Sequence, residues 1–349
     1  MSDPRYMRRA LQLARLGSGH VAPNPMVGAV IVHDGKIIGE GYHRRYGGPH
    51  AEVNAIALVR LEDVPLLGDS TMYVTLEPCS HFGKTPPCAD LILSTGIPRV
   101  VVGCLDPFEQ VSGRGVERLR AAGVEVEVGV ESKACEKLNE AFMTAHRLRR
   151  PFITLKWAQT ADGYLAAKSD NGPVPLEIST PVSIAAVHAL RSRRQAILVG
   201  SGTVLADKPN LGTKGFSGND PVKVIVDRRG RCSCGDFCNM TGRIILFTSR
   251  DSCEAVAGKV EGIHCDAGIS IEAVMKELYS KGITSVLVEG GAEILRSCIG
   301  SGLWDEARVE ISPRTAGAAG AVAVSLPEQA PETCEVIDGN RIFYYRNRH

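Results

Sequence analysis

Apolar positions in the first 150 residues switch between helical and strand spacing. Met7, Ala10, Leu11 and Ala14 recur at helical intervals, so the stretch 1–16 predicts a helix. Two apolar runs, 27–32 and 36–39, flank Asp34-Gly35, a strong hairpin signal. Pro49 opens a helical pattern carried by Val53, Ile56, Ala57 and Val59, with proline at the first helical position. Strands are predicted at 71–76, 99–104 and 124–128. Helices are predicted near Leu91 and Ile92, around Val116 and Leu119, and over 131–146, with a loop from Glu77 to Pro87.

The basic run His146-Arg-Leu-Arg-Arg-Pro151 reads as a junction and divides the chain into domains 1–147 and 148–349. Beyond it, strands are predicted at 152–157, 196–199, 222–226, 244–247 and 285–288. Helices are predicted at 182–191, 271–280 and 292–300, and a last hairpin turns at Asp338-Gly339-Asn340. The Ala/Gly segment 316–323 predicts a loop. No sequence repeat relates the halves, and both alternate helix with strand, which places them in the α/β class.

Composition narrows the function. The 349 residues are 44% hydrophobic and 23% charged, which excludes a disordered chain, a collagen-like fibre and a long coiled coil. Forty Lys+Arg against 39 Asp+Glu leave a net charge of +1, without the basic field of a nucleic-acid binder. No apolar run approaches the roughly 20 residues of a membrane helix. Arg8, Arg9 and Arg15 interrupt the first apolar pattern, so it predicts a mature helix and not a secretion signal. Eleven cysteines, an odd number in a chain of this size, point to reduced thiols in the cytoplasm. Cys232, Cys234 and Cys238 are read as reduced surface thiols, since no fourth metal ligand lies beside them.

The densest chemistry is Pro49-His50-Ala51-Glu52 followed by Pro78-Cys79 and Cys88. One imidazole and two thiolates suit zinc, and three protein ligands leave the fourth tetrahedral position open, as in a catalytic site. His50 at a helix start can point out of the core, and Glu52 in the same turn can reach the open position without being a ligand. This His-x-Glu and Pro-Cys pattern is the signature of zinc-dependent deaminases, in which the glutamate shuttles a proton. Eight residues, Ser80 to Pro87, separate the cysteines, where deaminases of nucleic-acid bases usually have two. That insert carries His81, Lys84 and Thr85, residues able to meet an anionic substrate group or simply solvated.

The second half has its own candidates. Glu289-Gly290-Gly291 follows an apolar strand and precedes a helix, so its backbone N–H groups can approach a pyrophosphate. Gly200-Ser-Gly-Thr203 is a second strand-to-loop switch of that kind, and together the two favour a dinucleotide site. Asp207 orders the nicotinamide or substrate, or is a turn residue before Pro209. Lys156 inside an apolar strand needs a partner, and with Glu289 it is placed to orient a sugar phosphate. Arg228 and Arg229 either meet a 2′-phosphate or are solvated turn residues, the commoner fate.

At this point the sequence resembles the bifunctional riboflavin-biosynthesis deaminase/reductase family. The first-half matches are Pro23-Asn-Pro-Met-Val-Gly-Ala-Val30, Gly41-Tyr-His43, Pro49-His-Ala-Glu52 and Glu77-Pro-Cys-Ser-His-Phe-Gly-Lys-Thr-Pro-Pro-Cys88. The second-half matches are Leu155-Lys156, Asp162-Gly163, Gly202-Thr-Val-Leu-Ala-Asp207 and Val288-Glu-Gly-Gly291. The resemblance implies a cytidine-deaminase-like three-layer domain and then a dihydrofolate-reductase-like domain. The first would deaminate 2,5-diamino-6-(5-phosphoribosylamino)pyrimidin-4(3H)-one with zinc. The second would use NADPH to reduce the product's ribosyl group to ribityl.

By position the resemblance makes His50, Cys79 and Cys88 zinc ligands and Glu52 the proton shuttle. Asn24, His43, His81 and Lys84 become substrate contacts of the first domain. Lys156, Leu211, Lys214 and Glu289 become those of the second, and Ala158, Glu177, Thr203, Asp207, Arg228, Gly290 and Gly291 its cofactor contacts. Val174-Pro-Leu-Glu177-Ile-Ser-Thr-Pro181 departs from the family's Ser-x-Trp, with Pro175 and Glu177 at those positions, and Lys214 replaces an arginine. The alternative is therefore a deaminase whose second domain no longer reduces. The expected partner is a small pyrimidine ribotide, with no nucleic acid, no membrane, and self-association as a homo-oligomer.

Overall fold

The computed structural model describes residues 2–80, 86–108, 112–169, 172–250, 259–266, 268–317 and 320–347. The chain divides into two compact units, Met1–Arg149 and Arg150–His349. Among the described residues no helix is long and apolar enough to cross a membrane.

The first unit opens with α1 (Pro4–Arg15), where the Asp3 carboxylate caps the helix by accepting the Arg5 N–H at 2.9 Å. β1 (Gly28–His33) and β2 (Lys36–Tyr42) form the hairpin, its turn residues Asp34 and Gly35 at φ +43° and +77°. α2 (Ala51–Ala57), a 3₁₀ stretch (Leu61–Asp69), β3 (Thr71–Leu76), α3 (Cys88–Thr95) and β4 (Arg99–Cys104) follow. α4 (Arg114–Ala121), β5 (Glu125–Val128), α5 (Ser132–Leu138) and α6 (Glu140–Leu148) complete the unit. The sheet runs β2-β1-β3-β4-β5, with β3, β4 and β5 parallel and β1 antiparallel to both its neighbours.

Strand alternation gives this sheet two apolar faces. Ile31, Met72, Val74, Val100 and Val102 pack with Ala51 and Ala55 of α2, Ile92 of α3 and Leu119 of α4. Val30, Val32, Tyr73 and Val101 pack with Met7 and Leu11 of α1, Cys135 of α5 and Met143 of α6. The result is the expected three-layer sandwich. Two expectations need correction. Pro49 is not the first helical residue; His50, extended at ψ 169°, is the N-cap, and the helix starts at Ala51. The helix expected over 131–146 is broken at Asn139. The buried Asn139 amide holds the Met26 backbone on both sides, accepting its N–H and donating to its C=O, each at 2.8 Å. Binding that segment holds the residue at φ −108°, ψ 26°, off the helical track.

The second unit contains β6 (Phe152–Gln159), β7 (Tyr164–Ser169), β8 (Gly172–Pro175), α7 (Pro181–Arg191), β9 (Ala196–Gly200) and α8 (Ser201–Asp207). Then come β10 (Val222–Asp227), β11 (Ile244–Thr248), β12 (Val260–His264), α9 (Ile271–Ser280), β13 (Ser285–Val288) and α10 (Ala292–Gly300). β14 (Glu306–Ile311), β15 (Gly320–Val322), β16 (Thr333–Ile337) and β17 (Asn340–Arg346) close it. The main sheet has the order β12-β11-β10-β9-β13-β6-β14-β17-β16, parallel as far as β14 and antiparallel over the last two. β15, β7 and β8 form a small antiparallel sheet.

One face of the main sheet packs Ile153, Leu155, Val226, Val288 and Val309 against Met275 and Leu278 of α9 and Leu295 of α10. On the other, Ile197, Val199, Ile225 and Leu246 pack with Val204 of α8 and with Leu211, Phe237 and Met240. Three readings change here. The segment 200–203 is a helix start and not a loop, with Gly200 as the N-cap of α8. The Ala/Gly segment 316–323 contains β15, because Gly320 lies so close to β7 that a Cβ would sit 2.1 Å from the Ala166 carbonyl oxygen. Cys232 is no surface thiol: Asp227 draws its N–H in at 2.7 Å, and burial pushes the thiol up to about 12. Cys234 is half-buried and Cys238 exposed.

Asn139→Ala would leave two part-buried Met26 backbone groups without their partners. At about 1–3 kcal/mol for each fully buried unsatisfied group, and less for groups that water can partly reach, a loss of about 2–4 kcal/mol is expected. Urea unfolding followed by far-UV circular dichroism measures it; an unchanged midpoint would contradict the bracing role.

Candidate active site

The ends of three elements meet in the first unit. β3 ends at Leu76 and delivers Glu77, Pro78 and Cys79; α2 starts beside His50; α3 starts at Cys88. The Nδ1 of His50 lies 3.6 Å from the Cys79 sulfur and 3.3 Å from the Cys88 sulfur, and the Cys88 N–H points at the Cys79 sulfur at 3.3 Å. A tetrahedral zinc with bonds of about 2.3 Å to sulfur and 2.0–2.1 Å to nitrogen needs N···S separations of roughly 3.6 Å. The donor set therefore fits zinc. Among the described residues it is the one group of three His, Cys, Asp or Glu close enough to share an ion. Hydrogen bonding from Cys88 holds the Cys79 thiol down at about 4, while the same contact and burial push Cys88 up.

Glu52 lies in the first turn of α2 and is 3% exposed. Burial pushes its carboxyl up to about 7, with the His50 ring pulling the other way. Glu52, His50 and Cys79 line a cavity of about 380 Å³ together with Asn24 and His43. His43 is buried; its Nδ1 donates to the Pro49 carbonyl at 2.9 Å, and its Nε2 meets the Asn24 amide nitrogen at 3.1 Å. Burial, above all, lowers its pKa, so the ring is neutral with its tautomer fixed by Pro49. The structure thus gathers Asn24, His43, His50, Glu52, Cys79 and Cys88 as expected. His81 and Lys84 lie outside the described residues.

Two features escaped the sequence reading. Glu77 is buried and accepts four backbone N–H groups, from Asp106 at 3.2 Å, Gly113 at 2.9 Å, Gly115 at 2.8 Å and Val116 at 3.3 Å. It ties the strand end that carries Cys79 to the start of α4. Gly115 lets α4 approach, since a Cβ there would lie 2.0 Å from the Pro78 carbonyl oxygen. The position beside Pro78-Cys79 was the available signal for Glu77. The second feature is an aromatic wall of Phe108, Phe142 and His146 in the same cavity, from residues far apart in sequence. The sequence reading had put His146 in the junction.

In the second unit, adjacent parallel strands β9 and β13 end side by side, and the connections after them run to opposite sides, to β10 and past β6 to β14. Such a switch point makes a crevice at the strand ends. Gly290 (φ +140°) and Gly291 (φ +71°) line it, where added Cβ atoms would come 3.4 and 3.5 Å from the Thr203 hydroxyl. The structure therefore brings Thr203, Gly290 and Gly291 together, with the N-terminus of α10 behind them. Bare backbone there suits a pyrophosphate.

The other residues are more dispersed. Glu289 is gripped by Arg191 through two bonds of 2.8 and 2.6 Å, so its charge is matched. Burial pushes the Lys156 ammonium down, with Glu289 and Glu310 opposing and Arg308 and Arg191 reinforcing. Arg228 donates to the Ile269 carbonyl at 3.0 Å and lies 3.8 Å from Glu293. Asp207 is exposed at the end of α8, with its pKa raised by partial burial. Leu211 is buried at φ +57°, and Ala158 lies half-buried on β6. Glu177 and Lys214 are exposed, and the Pro175 side chain lies outside the described set.

Comparisons with known proteins bear on both units. A family model for the cytidine and deoxycytidylate deaminase zinc-binding region matches residues 1–104, and one for the RibD C-terminal domain matches residues 151–335. The chain is 40% identical to the riboflavin biosynthesis protein RibD of Aquifex aeolicus (strain VF5), over 90% of this chain and 88% of that one. A crystal structure of a diaminohydroxyphosphoribosylaminopyrimidine deaminase/5-amino-6-(5-phosphoribosylamino)uracil reductase from Thermotoga maritima superposes with a TM-score of 0.88 at 39% identity. It covers 99% of this chain and 98% of its own. Acinetobacter baumannii RibD superposes with a TM-score of 0.89 at 30% identity, covering 99% and 98%.

The donor geometry makes metal content the direct test. The purified chain is expected to carry about one zinc per chain by elemental analysis, the count a single tetrahedral site gives. Cys79→Ser and Cys88→Ser should each lose most of it. Full zinc retention in both would show that the three donors do not act together.

Proposed function

The chain belongs to the RibD family of bifunctional riboflavin-biosynthesis enzymes, and from that premise we propose how its own residues divide the work. It is a zinc-dependent deaminase and an NADPH-dependent reductase. The deaminase removes an amino group from 2,5-diamino-6-(5-phosphoribosylamino)pyrimidin-4(3H)-one, and the reductase converts the ribosyl group of the product to ribityl. We assign the first reaction to the domain 1–147 and the second to the domain 148–349. The observation that carries the reading is the buried Glu52 beside three soft donors in one cavity.

His50, Cys79 and Cys88 hold the zinc. When bound, zinc is a Lewis acid that makes water nucleophilic near neutral pH. Glu52, kept from bulk solvent, takes a proton from the attacking water, passes it to the ring nitrogen, and then helps ammonia leave. The neutral His43, fixed between Pro49 and Asn24, offers a rigid wall to the pyrimidine. Asn24, with His81 and Lys84, completes the substrate contacts of this site.

In the second unit Gly290, Gly291 and Thr203 cradle the cofactor's pyrophosphate, with Ala158, Glu177, Asp207 and Arg228 along its length. NADPH supplies the hydride, and the protein's task is alignment and exclusion of water. Lys156 and Glu289 orient the sugar with Leu211 and Lys214. The reduced cysteines and the ribotide substrate support a cytoplasmic enzyme acting on a small molecule, without nucleic-acid or membrane partners. Self-association as a homo-oligomer is part of the same reading.

Supplying the diaminopyrimidine ribotide with NADPH should produce both ammonia and loss of NADPH absorbance. Ammonia without NADPH loss would leave only the first activity. Glu52→Gln should keep its zinc and lose about 10²–10⁴-fold in ammonia release; near wild-type speed would remove Glu52 from the proton path. Gly290→Ala should weaken NADPH binding by an order of magnitude, because an alanine at φ +140° is strained and would shift the backbone proposed to meet the pyrophosphate. Its ammonia release should be unchanged.

A further inference from the structure

We propose that His146 is an anion-binding residue of the first unit's cavity and contacts the phosphate monoester of the ribotide substrate. This rests on the deaminase reading above and adds to it a residue outside the zinc set and its shuttle. The ribotide carries a phosphate, yet the described lining of the cavity holds no lysine or arginine. Its basic groups are His43, His50 and His146. His43 has both ring nitrogens engaged, with Pro49 and Asn24, and His50 turns Nδ1 to the two sulfurs. No described residue hydrogen-bonds either nitrogen of His146.

The surroundings of His146 fix the ring in place and leave its nitrogens without a described counter-charge. Phe142 and Phe108 stand steeply to the imidazole, with ring centroids at 4.4 and 5.4 Å and interplanar angles of 62° and 61°. Aromatic rings packed in this way hold the side chain at the cavity wall. The acidic residues of the lining are turned elsewhere. Glu77 receives four backbone N–H groups, Asp106 accepts the Phe108 N–H at 2.8 Å, and Glu52 lies beside the metal donors. On α6 itself Arg147 reaches Glu136 at 3.3 Å. Burial holds the free ring below its ordinary pKa, and a phosphate within hydrogen-bond reach would reverse that preference.

Two variants separate a contact from a structural role. His146→Phe keeps an aromatic ring and removes both nitrogens, and His146→Lys restores a cation. For each, kcat and KM for ammonia release are measured on the ribotide and on the matching dephosphorylated riboside, with zinc content and unfolding midpoint alongside. His146→Phe should raise KM for the ribotide about tenfold or more, the usual weight of a charge-assisted hydrogen bond. Its kcat should stay within about twofold, and the riboside should show no change. His146→Lys should recover most of the lost affinity. Equal losses on both substrates, or no loss on the ribotide, overturn the assignment while leaving the deaminase reading intact. If the wild type releases no ammonia from the ribotide, it is the deaminase reading that falls. Calorimetric binding of ribose 5-phosphate then decides the contact: about tenfold weakening in His146→Phe supports it, and unchanged or undetectable wild-type binding overturns it.

Discussion

Three soft donors must come within a few ångströms of one another although one stands at a strand end and two at helix starts. That convergence is the constraint on which the first unit is built. His50 and Cys88 both occupy helix starts, where the chain enters from an extended conformation and the side chain can face away from the core. Cys79 sits just past β3, and its position depends on what fixes that strand end. Glu77 does so, binding the backbone of Asp106, Gly113, Gly115 and Val116. A buried carboxylate that accepts several N–H bonds is fully compensated, so the charge braces the site and does not destabilise it. The close approach at Gly115 is the steric half of the same brace.

The two units solve the problem of buried charge differently. In the first, burial shifts two of the cavity's groups toward their neutral forms. His43 is uncharged in its bonds to Pro49 and Asn24, and Glu52 is raised to about 7 by burial. In the second, β6 and β14 turn charged side chains to the sheet face opposite α9 and α10. Thr154, Arg194 and Glu306 form one cluster, with the Arg194 Nε 2.9 Å from the threonine hydroxyl. The Glu310 carboxylate accepts from Ser183 at 2.6 Å and from Asn340 at 2.7 Å, and meets Arg308 at 3.3 Å. Lys156 lies opposite Arg308 in the strand register, so two like charges stand side by side, with Glu310 of β14 and Glu289 just past β13 opposing them. This arrangement leaves a half-buried lysine whose ammonium burial pushes down and whose neighbours pull in both directions.

Much of this was legible before any coordinates. Short, nearly continuous apolar runs marked β3, β4 and β13, because strands covered on both faces bury almost every residue. Asp34-Gly35 and Asp338-Gly339 marked both hairpins, because those positions need positive φ. The strand β14 was missed because Arg308 and Glu310 occupy alternate positions where a sequence reading expects solvent, and only their partners across the sheet make burial affordable. The break at Asn139 was missed for a related reason: helical spacing continues through it, and the competing bonds come from Met26, over a hundred residues earlier.

The sequence by itself singled out His50, Glu52, Cys79 and Cys88 as one candidate constellation, and Gly290 and Gly291 as another, since each sits in a short motif whose chemistry calls for those residue types. The tertiary structure alone decided which nitrogen of His50 faces the sulfurs, which carboxylate braces them, and that His146 joins two phenylalanines in the cavity. The physical reason is range. Motifs record what neighbouring residues must be, whereas distances between side chains from different elements follow from how the helices and strands pack.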